Sequence, residues 1–164
     1  MVGIFEIEID KEVAKNKYRE KTLKIMKEAR DLLILMNLSY RKKIYKQTIK
    51  FGYESSMLVA EAIASFKGFE IRKRDCHLQS SIILKQYKDD FSINEKDIAM
   101  MEEIRPLRNF FVHPENHYEK IEGNEKYFTT ALFSKKASAS IYRNTAKYLA
   151  KQYSLPLSYF YKTI

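Results

Sequence analysis

The chain has little of the residues that interrupt or cross-link a fold: one cysteine, three prolines and four glycines in 164 residues, and no tryptophan. A lone Cys76 excludes an internal disulfide and is typical of a reducing compartment, so we expect a cytoplasmic protein. So few prolines and glycines leave hardly any material for a flexible linker. This scarcity favours a single domain over residues 1–164.

Membrane and cofactor signals are missing as well. No stretch approaches the roughly 20 apolar residues that a membrane span requires, and the N-terminus has neither a basic start nor a small-residue cleavage site. The chain has no glycine-rich phosphate loop, and the adjacent Cys76 and His77 have no second pair that could complete a zinc site. We therefore expect no membrane association, no metal and no cofactor.

Positive charge is abundant and unevenly distributed. The net charge is +9, no acidic residue follows Glu125, and a second acid-free stretch covers residues 32–53. Both stretches alternate cations with tyrosine and phenylalanine, a composition that suits phosphates and unpaired bases of RNA. The residues that we expect to bind RNA are Arg41, Lys42, Lys43, Lys46, Lys135, Lys136 and Arg143. The alternative is a solvated lysine-rich surface, which is common on helices.

Apolar spacing of three and four residues predicts an all-α protein, an antiparallel up-and-down bundle of about five helices. The expected helices cover about residues 11–36, 39–67, 78–87, 93–113 and 134–153. Ser39 is the expected N-cap of the second helix, which should end at Gly68, and Ser92 with Glu95 forms an expected capping box for the fourth. Small residues in the middle of the second helix should let another helix approach closely.

A small two-stranded β element near the N-terminus is a further expectation. Residues 4–9 largely alternate between apolar and acidic side chains, which favours a short strand. Its expected partner is the apolar and threonine-rich run over residues 127–133.

The candidate site lies at the end of the fourth helix, where Arg108 and Asn109 are followed by His113. This helix carries apolar residues at steps of three and four: Ile98, Met101, Ile104, Leu107 and Phe111. Arginine holds a permanent planar charge suited to a phosphate, and histidine can exchange a proton near neutral pH. Together they suit phosphodiester chemistry without a metal.

Spacing alone is not specific, because Arg72 and His77 repeat it in a charged connector. On a helix, Arg108 and His113 differ by about 140° around the axis, so both can line one groove only obliquely. The site should therefore be completed by a second surface, most simply a symmetry-related copy of the helix in a homodimer. Pro114 ends the helix, and the free carbonyls there favour a protonated His113.

At these residues the chain resembles the HEPN (higher eukaryotes and prokaryotes nucleotide-binding) domains, whose signature is an arginine, a polar residue and, four to six residues after the arginine, a histidine. Arg108, Asn109 and His113 match that signature. Residues 53–63 also resemble the second helix of the family, and residues 68–77 its connector to the third. The resemblance covers roughly residues 12–153.

The resemblance implies a helical, usually dimeric protein and, for many members, a metal-independent endoribonuclease. His113 would then exchange a proton with the ribose 2′-hydroxyl or the leaving oxygen, Arg108 would stabilise the phosphorane, and Asn109 would orient one of them. The product would carry a 2′,3′-cyclic phosphate.

Other readings stay open. The resemblance also allows, as an alternative, a non-catalytic nucleotide- or RNA-binding module, or a toxin paired with a nucleotidyltransferase antitoxin. The motif could also be purely structural, holding two helices together, with Arg108 paired to Glu102 or Glu103 and His113 as a cap. We assign no role to His77 or His117, which are more simply loop or capping residues, although His77 resembles a recurrent position in the family.

Overall fold

The computed structural model describes residues 17–112 and 125–161, with only the backbone described for residues 110–112. Five α-helices follow one another in the described residues: α1 (Arg19–Arg41), α2 (Tyr45–Lys67), α3 (Cys76–Tyr87), α4 (Glu95–Val112) and α5 (Phe128–Gln152). Short 3₁₀ turns cover Lys73–Asp75, Glu125–Tyr127 and Leu157–Phe160. The described part of the chain contains no β-strand. The predicted helical bundle is therefore confirmed, whereas the antiparallel order of its helices stays a prediction.

The predicted β element is wrong for its second strand. Residues 127–133 form the end of a 3₁₀ turn and the first turns of α5. Tyr127 and Ala131 are both buried, and the helical spacing of three to four residues continues through Ser134 and Ser138. Burial of this helical stripe overrides the strand preference of threonine and phenylalanine. The first predicted strand, residues 4–9, lies outside the described residues.

Helix α1 continues further than expected and changes the start of α2. Ser39, the expected N-cap of α2, lies inside α1 with 9% of its surface exposed. The chain reverses instead over residues 42–44, where Lys43 has a φ of 60° and the backbone N–H of Ile44 donates to the Ser39 carbonyl. Helix α2 therefore begins at Tyr45. The expected start of α1, at residue 11, lies outside the described residues.

The expected end of α2 is confirmed. Gly68 has a φ of 85°, the left-handed conformation that glycine adopts without strain, and its N–H donates to the carbonyl of Ser65. The N–H of Phe69 then donates to the Ala64 carbonyl at 2.8 Å. These two bonds satisfy carbonyls that the helix end would leave free.

Small side chains let α2 pack closely between α1 and α5, as predicted. A Cβ atom on Gly52 would lie 2.9 Å from Ser134 Oγ and 3.1 Å from Met36 Sδ. Ser55 is fully buried and its hydroxyl donates to the Ala29 carbonyl of α1 at 2.9 Å. The core of the bundle therefore lies along this face of α2.

Helix α4 carries the motif, and its start differs from the expected capping box. Ser92 has a φ of 54° and precedes the helix by three residues. The actual cap is Asn94, whose Oδ1 accepts a hydrogen bond of 2.9 Å from the Lys96 N–H. Pro106 lies inside the helix and has no N–H, so the Glu102 carbonyl lacks its usual helical donor.

The remaining boundaries differ by a few residues. Helix α3 begins at Cys76, two residues before the expected start, and α5 begins at Phe128 instead of residue 134. After α5 the chain folds back, and the buried Tyr142 hydroxyl donates to the Phe160 carbonyl at 2.7 Å. Within residues 17–112 and 125–161, no helix has the length and apolar composition of a membrane span.

Candidate active site

Arg108 lies on α4 with 19% of its side chain exposed, facing α2. Its Nη2 donates to Glu54 Oε1 at 3.2 Å, and its Nη1 donates to Asn109 Oδ1 at 3.3 Å. The Nε atom is buried and has no hydrogen-bond partner among the residues that the structure describes. The guanidinium is therefore held at two corners of its planar fork, and one buried donor remains for a further acceptor.

The pairing of Arg108 with Glu54 corrects one alternative. We considered Glu102 and Glu103 of the same helix as partners, but the observed partner is on α2. Glu102 is instead bound to Lys85 at 2.6 Å and accepts a hydrogen bond from Ser81. Hydrogen bonds from Lys85 and then Ser81 lower the pKa of Glu102. The Glu102 carboxylate therefore already has two partners on α3.

Asn109 and His113 are the other two residues of the predicted site. Asn109 is exposed, and its Oδ1 accepts the hydrogen bond from Arg108 Nη1. His113 lies outside the described residues, together with residues 114–124, which include His117.

His77 is a residue that the sequence reasoning set aside, and it lies beside the arginine of the motif. A hydrogen bond of 3.0 Å joins His77 Nδ1 to the Tyr53 hydroxyl, with the donor set by the imidazole tautomer. The two rings are stacked, with centroids 5.7 Å apart and planes at 24°. The signal for His77 in the sequence was its resemblance to a recurrent position in the family, and the repeated spacing after Arg72 gave none.

Charges around His77 favour a neutral imidazole. Burial is the largest cause that lowers its pKa, and the positive charges of Arg108 and Arg105 lower it further. Burial raises the pKa of Tyr53, although the same two arginines oppose that shift. Near neutral pH the site therefore combines two permanent cations with a neutral imidazole and an intact phenol.

A small pocket of about 30 Å³ lies between α2, α3 and α4. The residues that line it are Tyr53, Ser56, Met57, His77, Ser80, Ser81, Leu84, Ile98, Met101, Glu102 and Arg105. Its wall is mostly apolar, and the cavity is far smaller than the usual site of an organic ligand.

Six of the seven cations expected to bind RNA lie in two nearby segments. Arg41, Lys42, Lys43 and Lys46 lie at the turn between α1 and α2, and Lys135 and Lys136 lie on α5. Lys135 Nζ lies 5.2 Å from the centre of the Tyr40 ring, and Tyr40 stacks on Phe128 at 6.2 Å. These contacts bring the turn and α5 together in one basic and aromatic surface, which we call the basic turn.

Arg143 is separate from the basic turn. It lies eight residues after Lys135 on α5, a rise of about 12 Å. Its charge lowers the pKa of Tyr161 against the larger effect of burial, so it lies near the C-terminal segment. The structure therefore brings six of the seven cations together and leaves the seventh apart.

Among the described residues, no group of three or more histidine, cysteine or acidic side chains could hold a metal ion. Comparison with known proteins gives no relative by which to assign this site: no family model, no curated protein and no solved structure matches the chain.

Proposed function

We propose that the chain is a single-domain endoribonuclease of the HEPN type that acts in the cytoplasm without a metal ion. In this proposal two copies of the antiparallel bundle form a homodimer, and the α4 helices of both copies complete one cleft. The observation that carries the proposal is the arrangement of Arg108, which is held by Glu54 and Asn109 and retains a buried donor.

The proposed reaction is a transfer within the RNA backbone. His113 takes the proton of the ribose 2′-hydroxyl, and the oxygen attacks the adjacent phosphorus. As the bond from phosphorus to the 5′-oxygen breaks, that oxygen receives a proton, from His113 of the same or the other copy. The products are a 2′,3′-cyclic phosphate and a 5′-hydroxyl, and Arg108 stabilises the added negative charge of the phosphorane.

The side chains around Arg108 support this role. Asn109 fixes one edge of the guanidinium, so that the planar fork is oriented before RNA binds. Glu54 holds a second corner and balances part of the charge, which leaves the phosphate to approach the remaining donors. The basic turn lies at the start of α2, about 12 Å before Glu54 along the helix, and would bind the RNA on one side of the cleaved bond.

A binding module is the second candidate, and the ion pair between Arg108 and Glu54 favours it. An arginine that already has a carboxylate partner can hold a nucleotide or a nucleotidyltransferase partner without any chemistry. In that case the same cleft would retain RNA and release it unchanged.

One assay distinguishes the two candidate functions. Purified wild type, His113→Ala and Arg108→Lys are incubated with a mixed structured RNA in excess EDTA, and fragment ends are analysed for 2′,3′-cyclic phosphate. We expect wild-type cleavage, a loss of about 10²- to 10⁴-fold for His113→Ala, and a large loss for Arg108→Lys, which keeps the charge without the fork.

His117→Ala is the matched control, because it removes a nearby histidine to which no role is assigned. Its cleavage rate should equal that of the wild type. Retention of labelled RNA without cleavage by any variant would instead support the binding module. Full activity of His113→Ala would remove the basis of the nuclease proposal.

A further inference from the structure

The middle of α1 is apolar on every side of the helix. Residues 32–36 are all apolar, and Leu38 follows them. Leu33 and Met36 face the core and are buried. Leu35 and Leu38 lie on the opposite side, where 42% and 47% of their surfaces are exposed. Because a helix that is apolar all round is normally buried, the outer side of α1 is the kind of surface that another chain covers.

Two charged residues flank these exposed leucines, an acid before them and a base after them. Asp31 lies four residues before Leu35, and Lys42 lies four residues after Leu38. The helical spacing extends to Lys42, because its N–H donates to the Leu38 carbonyl at 3.0 Å. At about 100° per residue, all four positions fall within about 60° of the helix circumference. We call Asp31, Leu35, Leu38 and Lys42 the α1 stripe.

Both charges of the α1 stripe are accessible to a partner. The Asp31 side chain is 57% exposed, and its distance of 3.8 Å to Arg30 Nε is longer than a hydrogen bond. Lys42 is exposed and has no ion-pair partner among the described residues. A docked surface can therefore pair with each charge at the edges of the leucine patch.

The α1 stripe is complementary to itself. When two copies of α1 pack antiparallel, with the two-fold axis between the leucines, Leu35 of one copy faces Leu38 of the other. Asp31 then faces Lys42, because each charge lies about 6 Å beyond its nearer leucine along the helix axis. The symmetry repeats every contact, so the pair has two leucine contacts and two ion pairs. A parallel arrangement would instead place like charges opposite each other.

From this pattern we infer that the α1 stripe docks a second copy of the chain, with the two α1 helices antiparallel. One helix pair covers less than the roughly 1,200 Å² of a stable interface, so the dimer is reversible and its proportion rises with concentration. This surface is distinct from the α4 cleft of the proposed nuclease. Helix α1 packs against α2 and α5, whereas α4 packs against α2, α3 and α5.

Charge reversal with mixing tests the antiparallel register. Asp31→Lys places two positive charges opposite each other in a pair of identical copies, and Lys42→Glu places two negative charges there. Each variant alone should therefore associate about tenfold more weakly than the wild type. An equimolar mixture of the two variants restores both ion pairs and should associate as the wild type does. Sedimentation equilibrium of the full chain at low salt, in EDTA and without RNA, measures the average mass against concentration.

A further variant tests the apolar contact. Leu38→Ser should weaken association about tenfold, because the symmetry removes two leucine side chains from the interface. Its matched control is Leu78→Ser, at a leucine of α3 that is 48% exposed. The controls for the charge reversals are Asp89→Lys and Lys147→Glu, at exposed positions outside the α1 stripe. All three controls should leave the average mass unchanged, and urea denaturation confirms that each variant is folded.

The outcomes separate this inference from the proposed function. Association that none of the α1 variants weakens would overturn the α1 interface and leave the α4 dimer standing. A mixture that fails to associate would reject the antiparallel register. A constant monomer mass at every concentration would overturn self-docking and leave the leucines to a partner of another kind. If Asp31→Lys lowers the average mass of a chain that never cleaves RNA, the α1 interface is upheld and the nuclease is rejected.

Discussion

Helix α2 has two faces with different roles, and adjacent residues of the helix lie on each: one face packs against the core and the other makes polar contacts. Gly52, on the face toward α1 and α5, leaves no room for even one carbon atom. Tyr53 and Glu54, the next two residues, face α3 and α4 and hold a histidine and an arginine by polar contacts. The first face stabilises the bundle by close packing, whereas the second contacts charged residues, one of which has a buried donor without a partner among the described residues. A candidate site thus lies on a helix that the core keeps rigid.

The largest expected effect comes from the packed face. Gly52→Leu should lower the free energy of unfolding by about 3 kcal/mol, because its side chain would collide with Ser134 and Met36. Denaturation in urea measures the change. Ala99→Leu, at an exposed position of α4, is the control and should change stability by less than about 0.5 kcal/mol. Equal stabilities for the two variants would contradict the close packing.

The second prediction concerns how much the polar face of α2 contributes to the free energy of unfolding. A double-mutant cycle with Glu54→Gln and Arg108→Gln should give a coupling of about 1 to 2 kcal/mol, since both side chains are largely buried. The same cycle on Lys21 and Glu70, an exposed pair at 2.9 Å, should give a clearly smaller coupling because solvent screens it. If the exposed pair couples as strongly, burial does not explain how Arg108 is held.

A third effect tests the start of the helix that carries the arginines. Asn94→Ala should lower the free energy of unfolding by about 1 kcal/mol, because the Lys96 N–H loses its acceptor. Ser92→Ala should cost less, since the Ser92 hydroxyl does not cap the helix. Thermal unfolding of both variants decides between the two caps, and a larger loss for Ser92→Ala would restore the capping box that the sequence suggested.

The smallest expected effect is the pH dependence contributed by His77. Its pKa in the folded protein lies below the ordinary value of about 6.5, so the unfolded chain binds more protons in the interval between the two. The stability of the wild type should therefore fall as the pH drops through 6.5 and level off below the folded pKa. The groups that face this imidazole are Tyr53, Arg105 and Arg108.

Removal of the imidazole isolates that contribution. His77→Gln should flatten the stability profile between pH 8 and 5.5, measured by urea midpoints, relative to the wild type. Arg105→Ala should have a partial effect in the same direction, because it removes one of the two charges that lower the pKa. An unchanged slope in His77→Gln would mean that other groups produce the whole dependence.

The sequence was a good guide where local patterns and burial agree. Apolar periodicity predicted five helices, and Gly68 marked the end of α2 because only a left-handed residue closes it in this way. The expected start of α2 at Ser39 was wrong, since a serine that is a good cap in isolation is buried inside α1. Residues 127–133 have strand propensity, but they form a helix because burial of positions four residues apart outweighs that propensity.

The candidate site was only partly predictable for a different reason. Arg108 and Asn109 were found because the signature is local, along one helix. Glu54, Tyr53 and His77 come from other helices, and no spacing in the sequence relates them to Arg108; the fold brings them together. His77 gave one signal, its resemblance to a recurrent position in the family, but that resemblance did not relate it to Arg108.

Pro106 has a consequence for the motion of α4. Because its missing N–H removes one rung from the hydrogen-bond ladder, the turns before and after it are joined less firmly than in an uninterrupted helix. Amide hydrogen exchange should accordingly divide the helix, with slow exchange before the proline and faster exchange after it. Arg105 lies in the first part and Arg108 in the second, so the backbone amides of the two arginines would report on separate opening events within one helix.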